Sequence, residues 1–226
     1  MKIEYSTLLK QSVKNGDVKC LSQHLKDHVS SKVEQSLVKI AVDNKQMSVL
    51  EYFRTRVNSC IGLMDFALEC AVANADLNLV KNIMMYADPT HNKNHILEIA
   101  VKNIDPPMVA FLLQYCDPTA TQNNILALAV RKGDATVLQT LMSRCDPKSN
   151  CSAALQETVA YQNQEMFDLL YPVSNPQEAW DVIKNDAWFD RSQRKMLKSR
   201  LDIDKQHAKI TRAVEKSGSI KVKSKI

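Results

Sequence analysis

The chain has 226 residues, 45% of them hydrophobic and 24% charged, with a net charge of +5. That balance excludes wholesale disorder and allows one large domain or two small ones. Only four glycines occur, Gly16, Gly62, Gly133 and Gly218. They are too few for a β-sandwich, a dinucleotide fold or a phosphate-cradling loop, all of which place glycine at tight turns. Charge is segregated. Residues 191–226 carry twelve Lys and Arg against Asp202, Asp204 and Glu215, a net of +9, while the first 190 hold eighteen basic and twenty-two acidic groups, a net of −4.

No apolar run approaches the ~18 residues of a membrane span. Met1–Leu9 lacks the apolar core of a secretory leader, and the six cysteines at 20, 60, 70, 116, 145 and 151 are scattered through apolar runs. Such cysteines read as buried, reduced thiols, and the chain is expected to be cytoplasmic.

The predicted elements come in a repeat. Asp88-Pro89, Asp117-Pro118, Asp146-Pro147 and Asn175-Pro176 fall 29 residues apart. A small residue marks the same period, at Ser12, Ala41, Ala71, Ala100, Ala129 and Thr158, and valine follows it in all six copies. Three before this anchor stand Leu9, Val38, Leu68, Leu97, Leu126 and Leu155, and four before it Leu8, Leu37, Ala67, Ile96, Ile125 and Ala154. Apolar offsets of −4, −3, 0 and +1 describe one face of a helix.

A second apolar set at +8, +9 and +12, such as Leu79, Val80 and Ile83 or Val137, Leu138 and Leu141, predicts a second helix after a short turn. The turn carries Asn15, Asn44, Asn74 and Asn103 at +3 and Gly16 and Gly133 at +4, residue types that tolerate the left-handed conformation at a helix end. At +5, Asp17, Asp76, Asp105 and Asp134 are placed to cap the second helix. Two short helices cannot cover their apolar faces alone, so the units are expected to stack as an all-α solenoid of antiparallel helix pairs over 1–175. Cys116 and Cys145 share a repeat position with Ala87 and Ser174, which implies a demand for small size rather than a disulfide.

The segment from Cys116 to Met142, with its small-residue/Val pair, Gly133-Asp134, Val137-Leu138 and Leu141-Met142, resembles an ankyrin repeat. The resemblance covers about residues 5–174, roughly six units. Two departures stand out: Asn123-Asn124-Ile125-Leu126 occupies the place of the family's Thr-Pro-Leu-His, and the period is about four residues short of the usual ~33. The resemblance implies a scaffold that binds another protein on the concave side of the stack, with reduced loops in place of fingers. It also admits a setting inside a host cell, as a viral protein or bacterial effector.

Beyond the repeats, helices are expected around 177–185, 190–201 and 204–216, with Trp180, Trp188 and Phe189 capping the open end, and 217–226 forms a mobile basic tail.

Candidate sites are few. On the first helices, positions −2 and +2 lie outside the apolar face and vary between repeats. They give Lys39, Asp43, Glu69, Glu98, Lys102, Arg131 and Gln156 as the expected partner-binding set. Arg191, Arg194, Lys195, Lys198 and Arg200 form a candidate anion-binding face, the second route by which nucleic acid or an anionic membrane surface could be held. Cys20, His24 and His28 have ligand-like i, i+4, i+8 spacing, but the first two fall in apolar columns and read as packing residues. His91 and His95 are also four apart, with no carboxylate placed beside them by the repeat. No catalytic, cofactor or metal motif is found, so a monomeric binding protein is expected rather than an enzyme.

Overall fold

The computed structural model describes residues 2–25, 29–56, 62–121 and 124–223, with the side chains of 2–5, 151 and 217–223 outside the description. Among the described residues the structure is all-helical, with fourteen α-helices and a 3-10 turn at Pro118–Ala120. Six helix pairs follow the sequence period: α1 Lys2–Asn15 and α2 Val18–His24; α3 Ser31–Asp43 and α4 Met47–Thr55; α5 Leu63–Ala73 and α6 Leu77–Ile83; α7 His91–Lys102 and α8 Pro106–Leu112; α9 Ile125–Lys132 and α10 Ala135–Met142; α11 Ser149–Ala160 and α12 Gln164–Leu170. Two further helices, α13 Pro176–Ile183 and α14 Arg191–Lys223, complete the chain.

The chain divides into two compact units, Met1–Ile125 with Gln139–Arg144 and Leu126–Leu138 with Cys145–Ile226. In the first, α1 packs on α3, α3 on α5 and α5 on α7, each first helix beside the next. In the second, α13 packs on α11 as a further first helix would, and α14 packs on both.

The apolar columns are the core. All six valines after the anchor are at most 2% exposed, and the column at −3, Leu9 to Leu155, is at most 2% exposed as well. The second-helix sets from Val49 to Leu170 are also buried. Leu8, at −4 in the first repeat, is 41% exposed. Cys20 and His24 do not fill the columns +8 and +12 as packing residues should. Cys20 is half-buried and His24 exposed, and the apolar contact passes to Leu21 and Leu25, one position on.

The inter-helix turn is the same in every repeat, and its left-handed residue is always at +4: Gly16 (φ +71°), Lys45 (+55°), Ala75 (+54°), Ile104 (+56°), Gly133 (+79°) and Gln162 (+52°). The asparagines at +3 keep ordinary negative φ as C-caps, Asn44 at −105°, Asn74 at −83° and Asn103 at −81°. In five repeats the amide at +5 donates to the anchor carbonyl, as Asp17 to Ser12, Gln46 to Ala41, Asp76 to Ala71, Asp105 to Ala100 and Asn163 to Thr158. In those repeats the +4 amide donates to the carbonyl of the valine. This is the Schellman arrangement, which satisfies carbonyls that a helix end would otherwise leave free.

The predicted caps are in place. Asp17, Asp76, Asp105 and Asp134 each accept the third amide of the following helix, at 2.8 to 3.0 Å, and Asn163 does so at 3.1 Å. Gln46, at the same position in the second repeat, instead donates to the Lys14 carbonyl at 2.8 Å. Asn103 reaches the Val72 and Ala73 carbonyls at 3.1 Å, and Gln193 the Ala160 carbonyl at 2.6 Å. These three side chains each reach back to the C-terminal end of an earlier first helix.

The Asp-Pro loops are stitched in a second way. Asp88 and Asp117 accept the amide and hydroxyl of Thr90 and Thr119. The shared Cys/Ser position supplies a small donor to the previous loop: Cys116 Sγ to the Pro89 carbonyl at 3.4 Å, Ser174 Oγ to that of Pro147 at 3.5 Å. First helices begin irregularly, since Asn92, Lys93 and Asn94 in α7, and Asn150 and Ser152 at the matching positions of α11, are left-handed.

The C-terminal part differs from expectation. Residues 190–201 and 204–216 do not form two helices; α14 is continuous from Arg191 to Lys223. Nothing between Leu201 and Asp204 breaks a helix, since neither proline nor glycine occurs there. Phe189 is buried at 6% exposure, but Trp188 is 70% exposed and covers no core.

Candidate interaction surfaces

Among the first-helix positions of the first unit, Lys39, Asp43 and Lys102 are exposed and Glu69 is half-buried. Lys39, Asp43 and Glu69 lie close enough to Cys70 to act on its thiol, although burial is the larger influence and pushes that thiol up. Asp43 accepts the Asn74 side chain at 2.9 Å and lines a shallow cleft of about 710 Å³ with Lys45, Asn74 and Asp76. Lys45 Nζ is 2.6 Å from the Asp76 carboxylate.

Glu98 does not belong to the exposed set. Only 2% of it is exposed, and its carboxylate lies 3.6 Å from Lys102 Nζ and 3.9 Å from His95 Nδ1. The helix turns it inward between these two side chains, a pairing that an offset of −2 alone does not reveal.

In the second unit, Arg131 is exposed and Gln156 half-buried. Arg131 Nε lies 3.4 Å from Glu157 Oε1, while Glu157 Oε2 is buried without a hydrogen-bond partner. Burial pushes the Glu157 carboxyl above its ordinary value, with Arg131 opposing.

The basic residues of α14 divide. The Arg194 guanidinium is turned inward, donating to the carbonyls of Asp186 at 2.7 Å and Ile183 at 3.3 Å. That of Arg200 sits 5.4 Å from the centre of the Tyr171 ring. Arg194 anchors the helix and leaves the anion-binding set, whereas Arg200 is exposed beside the ring. Arg191, Lys195 and Lys198 remain exposed, joined by Lys205, Lys209 and Arg212 further along the same helix. The second group was hidden because a break near residue 203 conceals the shared helical register.

Sequence spacing also missed the partners of the histidines. His91 lies 3.7 Å from Asp65 and His95 3.9 Å from Glu98. Cys20 Sγ is 3.7 Å from His24 Nδ1, a nitrogen that also lies 2.9 Å from the Cys20 carbonyl oxygen. His28 falls outside the described residues, and no group of three metal-binding side chains forms among those described. Cys20, Cys70 and Cys116 are free thiols, and Cys60 lies outside the description. No described helix is long and apolar enough to cross a membrane.

Compared with known proteins, the chain matches no family model, no curated protein and no solved structure. What it can do rests on its own geometry.

Proposed function

We propose that the chain is an ankyrin-like solenoid that works as a protein-binding scaffold rather than an enzyme. The observation that carries this reading is the contrast within the first helices. Positions −3, 0 and +1 are buried in every repeat, whereas −2 and +2 present Lys39, Asp43, Glu69 and Lys102 in the first unit and Arg131 and Gln156 in the second. A regular core frees these outer positions to vary in charge without disturbing the stack, which is what recognition of a particular partner requires. The setting that fits is the cytoplasm, including that of a host cell.

The test is capture of binding proteins from cell lysate by the full chain and by a Lys39→Glu/Asp43→Lys variant. Loss of a discrete protein partner, with an unchanged melting curve, supports the scaffold face. Equal capture by both rejects it.

A further inference from the structure

We propose that α14 is a docking helix for the phosphate backbone of duplex nucleic acid, acting through Lys198, Lys205, Lys209 and Arg212. This stands apart from the scaffold reading and rests on a different part of the molecule.

The four cations are spaced by 7, 4 and 3 residues, the spacing of a single stripe on a helix of 3.6 residues per turn. All four are exposed, and from Asp202 to Lys216 every residue of the helix is exposed. From Lys198 to Arg212 the helix rises about 21 Å. Over that length each strand of a duplex carries about six phosphates. Exposed Arg191 extends the stripe towards the N-terminus of the helix.

Carboxylates sit mostly off the stripe. Asp204 is held by Tyr171, whose hydroxyl donates to it at 2.5 Å. Glu215 lies about a quarter turn away. Asp181 is near enough to Lys205 for that lysine to help lower its carboxyl pKa, behind the hydrogen bond from Lys184. On the helix itself, Asp202 comes nearest the stripe, between Lys198 and Lys205.

Geometry separates the anionic partners. The exposed apolar residues of the helix, Ile203, Ile210 and Val214, lie about 150° around the axis from the mean of the cations. A helix lying in a membrane interface must bury its apolar side while its cations reach the same plane, and here the two faces point nearly opposite ways. Single strands are disfavoured because no Phe, Trp or Tyr occurs from 190 onward to stack on bases. A duplex asks only for a line of cations on a straight support.

The experiment measures the full chain against a fluorescein-labelled 24-base-pair DNA duplex by anisotropy, alongside the matching single strand and phosphatidylserine vesicles. The duplex should bind with a log K against log salt slope of about −3.6, so affinity falls about 150-fold between 50 and 200 mM salt. A Lys198→Glu/Lys205→Glu/Lys209→Glu/Arg212→Glu variant should lose that binding while keeping its far-ultraviolet dichroism. Lys10→Glu/Lys19→Glu/Lys32→Glu/Lys132→Glu, with the same change of net charge, should retain most of it, and Asp202→Ala should tighten it several-fold. Three results would overturn the proposal: no duplex binding at 50 mM salt, stronger binding to vesicles or the single strand, or equal losses in the two quadruple variants.

Discussion

Glu34 and Arg56 form an ion pair at 2.9 Å in which 2% and 8% of the two side chains are exposed. The pair joins the first turn of α3 to the end of α4, and both partners are buried within one repeat. Both charged groups are largely withdrawn from water, so breaking the pair from one side costs about 3–5 kcal/mol. Glu34→Ala and Arg56→Ala should each lower the denaturation midpoint sharply. The double variant Glu34→Leu/Arg56→Met should recover most of the loss. Additive effects in a double-mutant cycle by urea denaturation would show that the two residues do not act as a unit.

The left-handed position at +4 permits a test in both directions. At Gly133 a Cβ would meet nothing within 4 Å, so Gly133→Ala isolates the backbone cost of a left-handed alanine, about 1 kcal/mol. Ile104, β-branched and 43% exposed, already bears that cost, and Ile104→Gly should raise the melting temperature. Gly16 is different, because a Cβ there would lie 2.5 Å from Gln46 Oε1. Gly16→Ala should therefore cost more than Gly133→Ala, since it also disturbs the Gln46 bond to Lys14. Equal losses at the two glycines in thermal melts would contradict this.

Two carboxyls give opposite pH dependence. Asp76 is held below its ordinary value by the hydrogen bond from Lys45 and then by the Leu79 amide. The stability it adds is present above the ordinary carboxylate range and is lost as pH falls through the lowered folded value. Glu157 is pushed up by burial, so its ionised form weighs against the fold at neutral pH and the penalty fades as pH falls through the raised value. Glu157→Gln should accordingly gain stability relative to wild type at pH 8 and lose that advantage by pH 4. Asp76→Asn should do the reverse, destabilised at pH 7 and converging with wild type near pH 2. Urea midpoints across this range read both effects.

Burial pushes the Cys116 thiol up to about 12, leaving almost no thiolate at pH 8. Iodoacetamide should leave Cys116 unmodified in the native protein and label it in urea, as followed by peptide mass spectrometry. Labelling at the rate of an exposed thiol would mean that the Pro89–Cys116 contact is open in solution.

Much of the helical architecture was legible in the sequence because it depends on local chemistry repeated six times. The buried valines, the Asp caps and the small Cys/Ser position all follow from offsets within one repeat. The face expected to bind partners was legible only in part. Glu98 shares the −2 offset with exposed Lys39, yet it is buried, with Lys102 and His95 beside its carboxylate. Arg194 looked like a free cation, yet it is taken up by the Ile183 and Asp186 carbonyls. Contacts between side chains far apart in sequence, such as Tyr171 with Asp204, leave no periodic trace.

The anchored half of α14 bears on its exposed half through nucleation. A helix of fifteen residues with no neighbour is marginal in water, because its first turn fixes many dihedrals for a single hydrogen bond. Here that first turn is already made, held by buried Leu197 and Leu201 and by Arg194 on its two carbonyls. The projecting turns are only elongation, which is far less demanding than starting afresh. Their charges thus meet a partner already in line, and binding loses less ordering entropy than a coil of the same composition would. The grip of two leucines inside the second unit thereby governs the readiness of lysines that never touch it.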